Sequence, residues 1–157
     1  TFANIGEVGN LRRDPFAMKP FCSYNMGDYF QHWLNMGDRL GSKAPRIFYV
    51  NWFRKNHDGR FLWPGFSDNS RVLKWMCERI DGKVDAKKSA IGLLPVDRGL
   101  DLNGIGLSAE NIEELTKVDL DEWKAEIPDI EKHFATFGSR LPERLKKQLK
   151  ELAERLG

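Results

Sequence analysis

The sequence predicts a mixed α/β domain, with one short buried strand and hairpin region and about five to six helices. Three observations lead there. Residues 46–53, RIFYVNWF, carry β-branched and aromatic side chains on both faces, the composition of a strand covered from two sides. Asp58-Gly59 is a strong turn signal, so Arg60 to Trp63 can return as a short partner strand before Pro64-Gly65 breaks it. Elsewhere apolar residues recur at steps of three and four, the period of helices with one buried face.

The elements follow in order. The opening is punctuated by Gly6 and Gly9, and Pro15 and Pro20 argue for an extended or turning segment up to Phe21. Met26, Tyr29, Phe30, Trp33 and Leu34 then predict a helix over about 25–36, ended by Gly37. Gly41 to Pro45 reads as a linker into the strand. After the hairpin, Asp68, Asn69 or Ser70 can cap a helix whose inner face is Val72, Leu73, Met76, Cys77 and Ile80. Asp81 to Gly104 reads as a long irregular connection with a short apolar piece at Ile91 to Leu94.

Ser108 can cap a short helix to about Thr116. From Asp119, with Glu122 placed for a capping box, Leu120, Trp123, Ile127, Ile130, Phe134 and Phe137 form one stripe. Pro128 should kink or divide that helix. A last helix follows Pro142, with Leu145, Leu149, Leu152 and Leu156 inward. There is no internal repeat and no low-complexity tract.

Composition excludes several classes. A chain of 157 residues with 41% hydrophobic content can bury an ordinary core. Lys and Arg total 25 against 23 for Asp and Glu, and a net charge of +2 is too small for a polyanion-binding surface. Cys22 and Cys77 lie in no paired spacing, which fits two buried thiols in a reduced, intracellular protein better than disulfides or zinc. No apolar run approaches the roughly 20 residues of a membrane span, so a soluble, cytoplasmic protein is expected. The chain opens on Thr1, and it is expected to be a fragment of a larger protein.

Few residues have the spacing of a reactive site. His32, His57 and His133 are scattered, with no Cys, Asp or Glu at ligand spacing beyond Asp58 in a turn, and are expected on the surface or in helix packing. No serine or cysteine lies in a nucleophile motif. Gly37 to Lys43 resembles a phosphate loop only superficially, because three residues rather than four separate the glycines and Ser42 precedes Lys43. The apolar stripes over 119–137 and 141–156 can be partner surfaces, but such stripes are usually core.

The aromatic turn is different. Phe53, Phe61, Trp63 and Phe66 crowd around Asp58-Gly59 and Pro64-Gly65, just before a helix. They can be a hydrophobic cluster under a hairpin, or the walls of a slot for a flat ring. Pro64-Gly65 sets Phe66 on a turn where its ring need not point inward. Asn69 offers an amide donor and acceptor close to free N–H groups at a helix N-terminus. Stacking rings plus polar groups that read an edge are what a purine pocket needs. The alternative is a non-enzymatic helical module whose aromatic turn contacts a protein or a single nucleic-acid strand.

At these residues the chain resembles a known family. DPFAMKPF, YNMGDYFQHW, RIFYVNWFRK and GRFLWPGFSDNSRVLKW follow one another as in the C-terminal part of the GTP-dependent phosphoenolpyruvate carboxykinases, most like the actinobacterial type. The likeness runs from about Leu11 to the end, more loosely in the helical tail. It implies the C-terminal part of that enzyme's nucleotide-binding domain, with residues 1–12 as the end of a mobile lid, 13–104 as the guanine-binding part, and 105–157 as a helical tail packed on it. It implies conversion of oxaloacetate and GTP to phosphoenolpyruvate, GDP and CO2 in gluconeogenesis, with Mn2+ or Mg2+, by a monomeric enzyme of the cytoplasm with no nucleic-acid or membrane partner.

By the same resemblance guanine lies between Phe53 and Phe66, with Phe61 as a third ring. Ser67 and Asp68 contribute backbone contacts, and Asn69 a side-chain amide. No catalytic group and no metal ligand is expected in this segment. The phosphate loop, the metal-binding side chains and the substrate-holding arginines would lie upstream, and the segment alone would be inactive.

Overall fold

The computed structural model describes residues 21–97 and 99–157. The expected lid end over 1–12 and the turning segment before Phe21 lie outside them. The chain divides into two compact units. One combines the described residues up to Ala44 with Asp121–Gly157, and the other is Pro45–Leu120.

In the first unit, helix α1 spans Met26–Leu40. Asn25 caps it, its side-chain oxygen accepting from the Gly27 N–H at 2.8 Å. The Asn25 amide also donates to the Phe137 carbonyl at 3.3 Å, so the cap fixes a distant part of the chain. Gly27 is buried, and a Cβ there would lie 2.8 Å from the Arg140 carbonyl carbon, so only glycine allows this approach. Phe30 meets the buried Phe137 edge-on at 5.5 Å.

Contrary to expectation, α1 runs through Gly37 and ends at Gly41, whose φ of 53° and N–H bond back to the Gly37 carbonyl form the stop. An interior glycine costs only about 1 kcal/mol against alanine, which packing overrides. Helix α4 spans Leu120–Ala135 and is not divided by Pro128. The proline removes one backbone bond, but Trp123, Ile127, Ile130 and Phe134 are half-buried along one stripe on both sides of it, and that burial keeps the helix whole. Helix α5, Glu143–Leu156, follows Pro142 as the sequence predicts, and Leu156 is buried.

In the second unit the largest correction concerns residues 46–53. They form no strand, Trp52 and Phe53 lying in a turn, and the one sheet among the described residues is a two-stranded hairpin elsewhere. Nor are they covered on both faces. Phe48, Val50 and Trp52 are half-buried, whereas Ile47, Tyr49, Asn51 and Phe53 are exposed. That alternation is the period of a strand with one face packed. A ladder is what it lacks.

The inner face of α2, Asn69–Ile80, is also shifted. Trp75 is buried, with Val72, Met76 and Arg79 half-buried beside it, while Leu73, Cys77 and Ile80 are exposed. The expected face is about one residue, or 100°, out of register, because the Trp75 ring, edge-on to Phe48 at 6.1 Å, takes the central place. The two thiols are therefore not both interior, since Cys22 is half-buried and Cys77 exposed.

Residues 81–104 are less irregular than expected. Strands β1, Ala86–Ser89, and β2, Gly92–Pro95, pair antiparallel around Ala90-Ile91. Neither Asn-Gly nor Asp-Gly marks this turn, so the sequence carries no strong hairpin signal there. Helix α3, Ala109–Thr116, begins as predicted, with the Ser108 hydroxyl accepting from the Asn111 N–H at 3.3 Å.

Candidate functional site

The aromatic turn is assembled from a small closed loop and a helix start. Asn56 organises the loop. Its side-chain oxygen accepts from the N–H groups of Asp58 at 3.1 Å and Arg60 at 2.9 Å, and its backbone N–H donates to the Arg60 carbonyl. Gly59, at φ 76°, closes the turn as its signal predicts. One β-bridge joins Lys55 to Phe61, and the Leu62 N–H donates to the Arg54 carbonyl at 2.8 Å.

This pairing sorts side chains by face. Leu62, 1% exposed, points inward as the most buried large side chain of the described residues. Its neighbour Phe61 is 58% exposed, and Phe53 across the loop is 73% exposed. Their rings lie 6.0 Å apart at 63°, an edge-to-face pair, and the Lys55 ammonium sits 5.1 Å from the Phe61 ring centre.

The second half begins at Trp63, which is 6% exposed. Gly65, at φ 127°, then turns the chain into a single 3-10 turn, Phe66–Asp68, that leads into α2. Phe66 stands out at 93% exposure. It makes no ring contact with Phe53 or Phe61 among the described residues, so the six predicted side chains fall into two groups: the Phe53 and Phe61 pair, and the run Phe66 to Asn69.

Ser67 and Asp68 turn their side chains to each other and to the protein. The Ser67 hydroxyl donates to Asp68 Oδ2 at 3.2 Å, and Asp68 Oδ1 takes Arg71 Nε at 2.9 Å. Asp68 occupies the N-cap position of α2 without a side-chain capping bond, because its carboxylate is committed to Arg71. Asn69 is half-buried, and its Oδ1 accepts from the Trp63 indole N–H at 2.8 Å.

The roles of two residues of the turn escape sequence reasoning. Trp63, one of the four aromatic side chains expected to crowd the turn, is buried and bonded to Asn69. Arg54 is the other, its guanidinium donating to the carbonyls of Lys117 at 2.9 Å and Leu115 at 3.4 Å and to Glu114 Oε1 at 3.1 Å. These groups sit at the end of α3, where carbonyls lack helical partners, so Arg54 ties the base of the aromatic loop to a helix some sixty residues on. Nothing in the local pattern around Arg54 signals a partner that far away.

The rest of the chain offers less. Among the described residues no three His, Cys, Asp or Glu side chains cluster as metal ligands. His57 meets only Asp58, at 3.3 Å, with both side chains largely in solvent. A groove of about 490 Å³ along α4 and α5 is lined by apolar side chains together with Glu131, Lys146 and Lys150, the two lysines being paired to Glu143 and Glu154. No described helix is long and apolar enough to cross a membrane.

Comparison with known proteins gives matches along nearly the whole chain. The family model described as the phosphoenolpyruvate carboxykinase C-terminal P-loop domain matches residues 1–155. The chain is 49% identical over 157 residues to the phosphoenolpyruvate carboxykinase (GTP) of Arthrobacter sp. (strain FB24), covering 99% of this chain and 26% of that protein. It is 49% identical over 152 residues to the protein of that name from Treponema pallidum (strain Nichols), covering 96% and 25%. For Chlamydia pneumoniae the identity is 48% over 159 residues, covering 96% and 26%. The chain thus spans about a quarter of the length of these relatives.

Proposed function

The chain belongs to the GTP-dependent phosphoenolpyruvate carboxykinase family, and on that premise we propose that its aromatic turn is the guanine-holding side of an enzyme that converts oxaloacetate and GTP to phosphoenolpyruvate, GDP and CO2. The observation that carries the reading is the exposure of Phe53, Phe61 and Phe66 on a turn whose backbone is otherwise pinned. Three largely exposed phenyl rings have given up part of the favourable burial that large apolar side chains usually find, at most roughly 1.5–3 kcal/mol for a fully exposed one. A flat heterocycle laid against them recovers part of it, because stacking on an aromatic side chain contributes roughly 1–3 kcal/mol per base.

On this reading Phe53 and Phe66 flank the base and Phe61 supports it. Backbone groups of Ser67 and Asp68 and the amide of Asn69 meet its edge. Since the side chains of Ser67 and Asp68 are already engaged with each other and with Arg71, backbone contact is what they have left to offer. The enzyme needs a divalent ion, Mn2+ or Mg2+, to neutralise phosphate charge during transfer. By the same resemblance its ligands, the phosphate loop and the substrate arginines belong to other parts of the family's polypeptide. This segment then contributes positioning of GTP and no catalytic group.

Magnitudes fit a partial site. Two stacking faces and a few hydrogen bonds support about 4 kcal/mol, or millimolar affinity, without phosphate contacts. In the full-length enzyme Phe66→Ala is expected to raise the KM for GTP about tenfold or more and leave the KM for oxaloacetate nearly unchanged. Equal losses for both substrates would mean that Phe66 serves only the fold. In competition, GDP and ITP should displace GTP better than ADP does, whereas a single-strand binding platform would stack every base alike.

A further inference from the structure

The indole of Trp63 is an N–H donor and can accept nothing, so the Asn69 atom it touches at 2.8 Å has to be the carbonyl oxygen. Donor chemistry therefore sets the amide's orientation. Trp63 is buried, and its ring lies 6.2 Å from that of Trp52, so the donor is held in place by packing. Asn69 Nδ2 has no hydrogen-bond partner among the described residues. What Asn69 can offer a ligand beside the exposed Phe66 is then a pair of N–H donors.

We propose that Trp63 is a positioning residue for base selection: by holding the Asn69 oxygen it commits the amide nitrogen to the base, which favours purines with a keto oxygen at C6 over those with an amino group there. The proposal rests on the base-holding role of the turn and adds to it the residue that sets the choice. A 6-keto oxygen accepts from Nδ2. A 6-amino group brings its own N–H against the same donor, and the amide cannot turn over to receive it without leaving the buried indole N–H unpaired.

The test uses the full-length enzyme and kcat/KM for GTP, ITP and ATP. Replacing Trp63 by β-(3-benzothienyl)alanine, which puts sulfur where the N–H was at nearly the same volume, should lower both the GTP-to-ATP and the ITP-to-ATP ratios about five- to tenfold, the worth of one hydrogen bond. Trp63→Phe should lower both ratios similarly, with an added loss of thermal stability from the missing ring. Asn69→Asp, which presents an acceptor whatever Trp63 does, should collapse the preference, and adding the Trp63 replacement to it should change the ratios no further.

Equal losses for all three nucleotides on replacing Trp63 would overturn the proposal. So would unchanged ratios with the sulfur isostere where Asn69→Asp collapses them, because Asn69 would then read the base without help from Trp63. Unchanged ratios in Asn69→Asp, together with an unaffected GTP KM in Phe66→Ala, would remove the base-holding role itself and the proposal with it.

Discussion

At the scale of single residues, Gly65 controls the turn more tightly than the aromatic side chains it presents. Its φ of 127° lies where a side chain is strained, and the space a Cβ would take there is open, with no atom within 4 Å to oppose it. The penalty for Gly65→Ala is therefore conformational, about 1–3 kcal/mol. Relieving it means swinging the peptide that carries Phe66. We expect Gly65→Ala to raise the GTP KM severalfold at nearly unchanged circular dichroism, while alanine at Gly37, inside α1 with open space around it, should leave GTP use alone. An unaffected GTP KM in Gly65→Ala would detach the turn from the nucleotide. The glycine at 65 was legible as a break after Pro64. That Phe66 stands 93% exposed was not, because exposure depends on what the rest of the chain leaves uncovered.

At the scale of elements, the aromatic loop is held from below by Arg54. Its charged hydrogen bonds to Glu114, Leu115 and Lys117 join the loop to the end of α3, itself started by the Ser108 cap. Charge-assisted bonds of this kind are worth roughly 1.5–3 kcal/mol in favourable settings. With the Arg54 side chain 26% exposed, about 1–2 kcal/mol is a reasonable loss for Arg54→Ala. Hydrogen exchange should show it as faster opening of both residues 54–62 and α3. Glu114→Gln, which keeps the two carbonyl contacts, should show much less. Opening confined to the loop would argue that α3 stands independently. The α3 cap was legible in Ser108, since a cap is a local device. The register of α2 was not, because Val72, Leu73, Met76, Cys77 and Ile80 form a plausible stripe by spacing and only the fit of Trp75 against Phe48 decides against it.

At the scale of the whole molecule, residues 46–53 show how far these 157 residues satisfy their own backbone. The segment has strand composition and strand alternation but no ladder among the described residues, with Ile47, Tyr49 and Phe53 facing water. Polypeptides of this family are about four times as long. Amides of 46–52 should exchange rapidly in the 157-residue chain and be strongly protected in a full-length enzyme, as measured by hydrogen exchange with mass spectrometry. Equal exchange in both would mean that the segment is an exposed extended arm in its own right. Local rules in the sequence by itself determined the cap at Ser108, the Asp58-Gly59 turn, the helical periods and, through long unambiguous strings, the family. Each of those depends on neighbours within a few positions. Only the tertiary structure decided that the aromatic segment is one-faced, that Pro128 stays inside a helix, that Trp63 holds Asn69 and that Arg54 reaches α3. Those outcomes turn on burial, which is a property of surfaces brought together from distant parts of the chain.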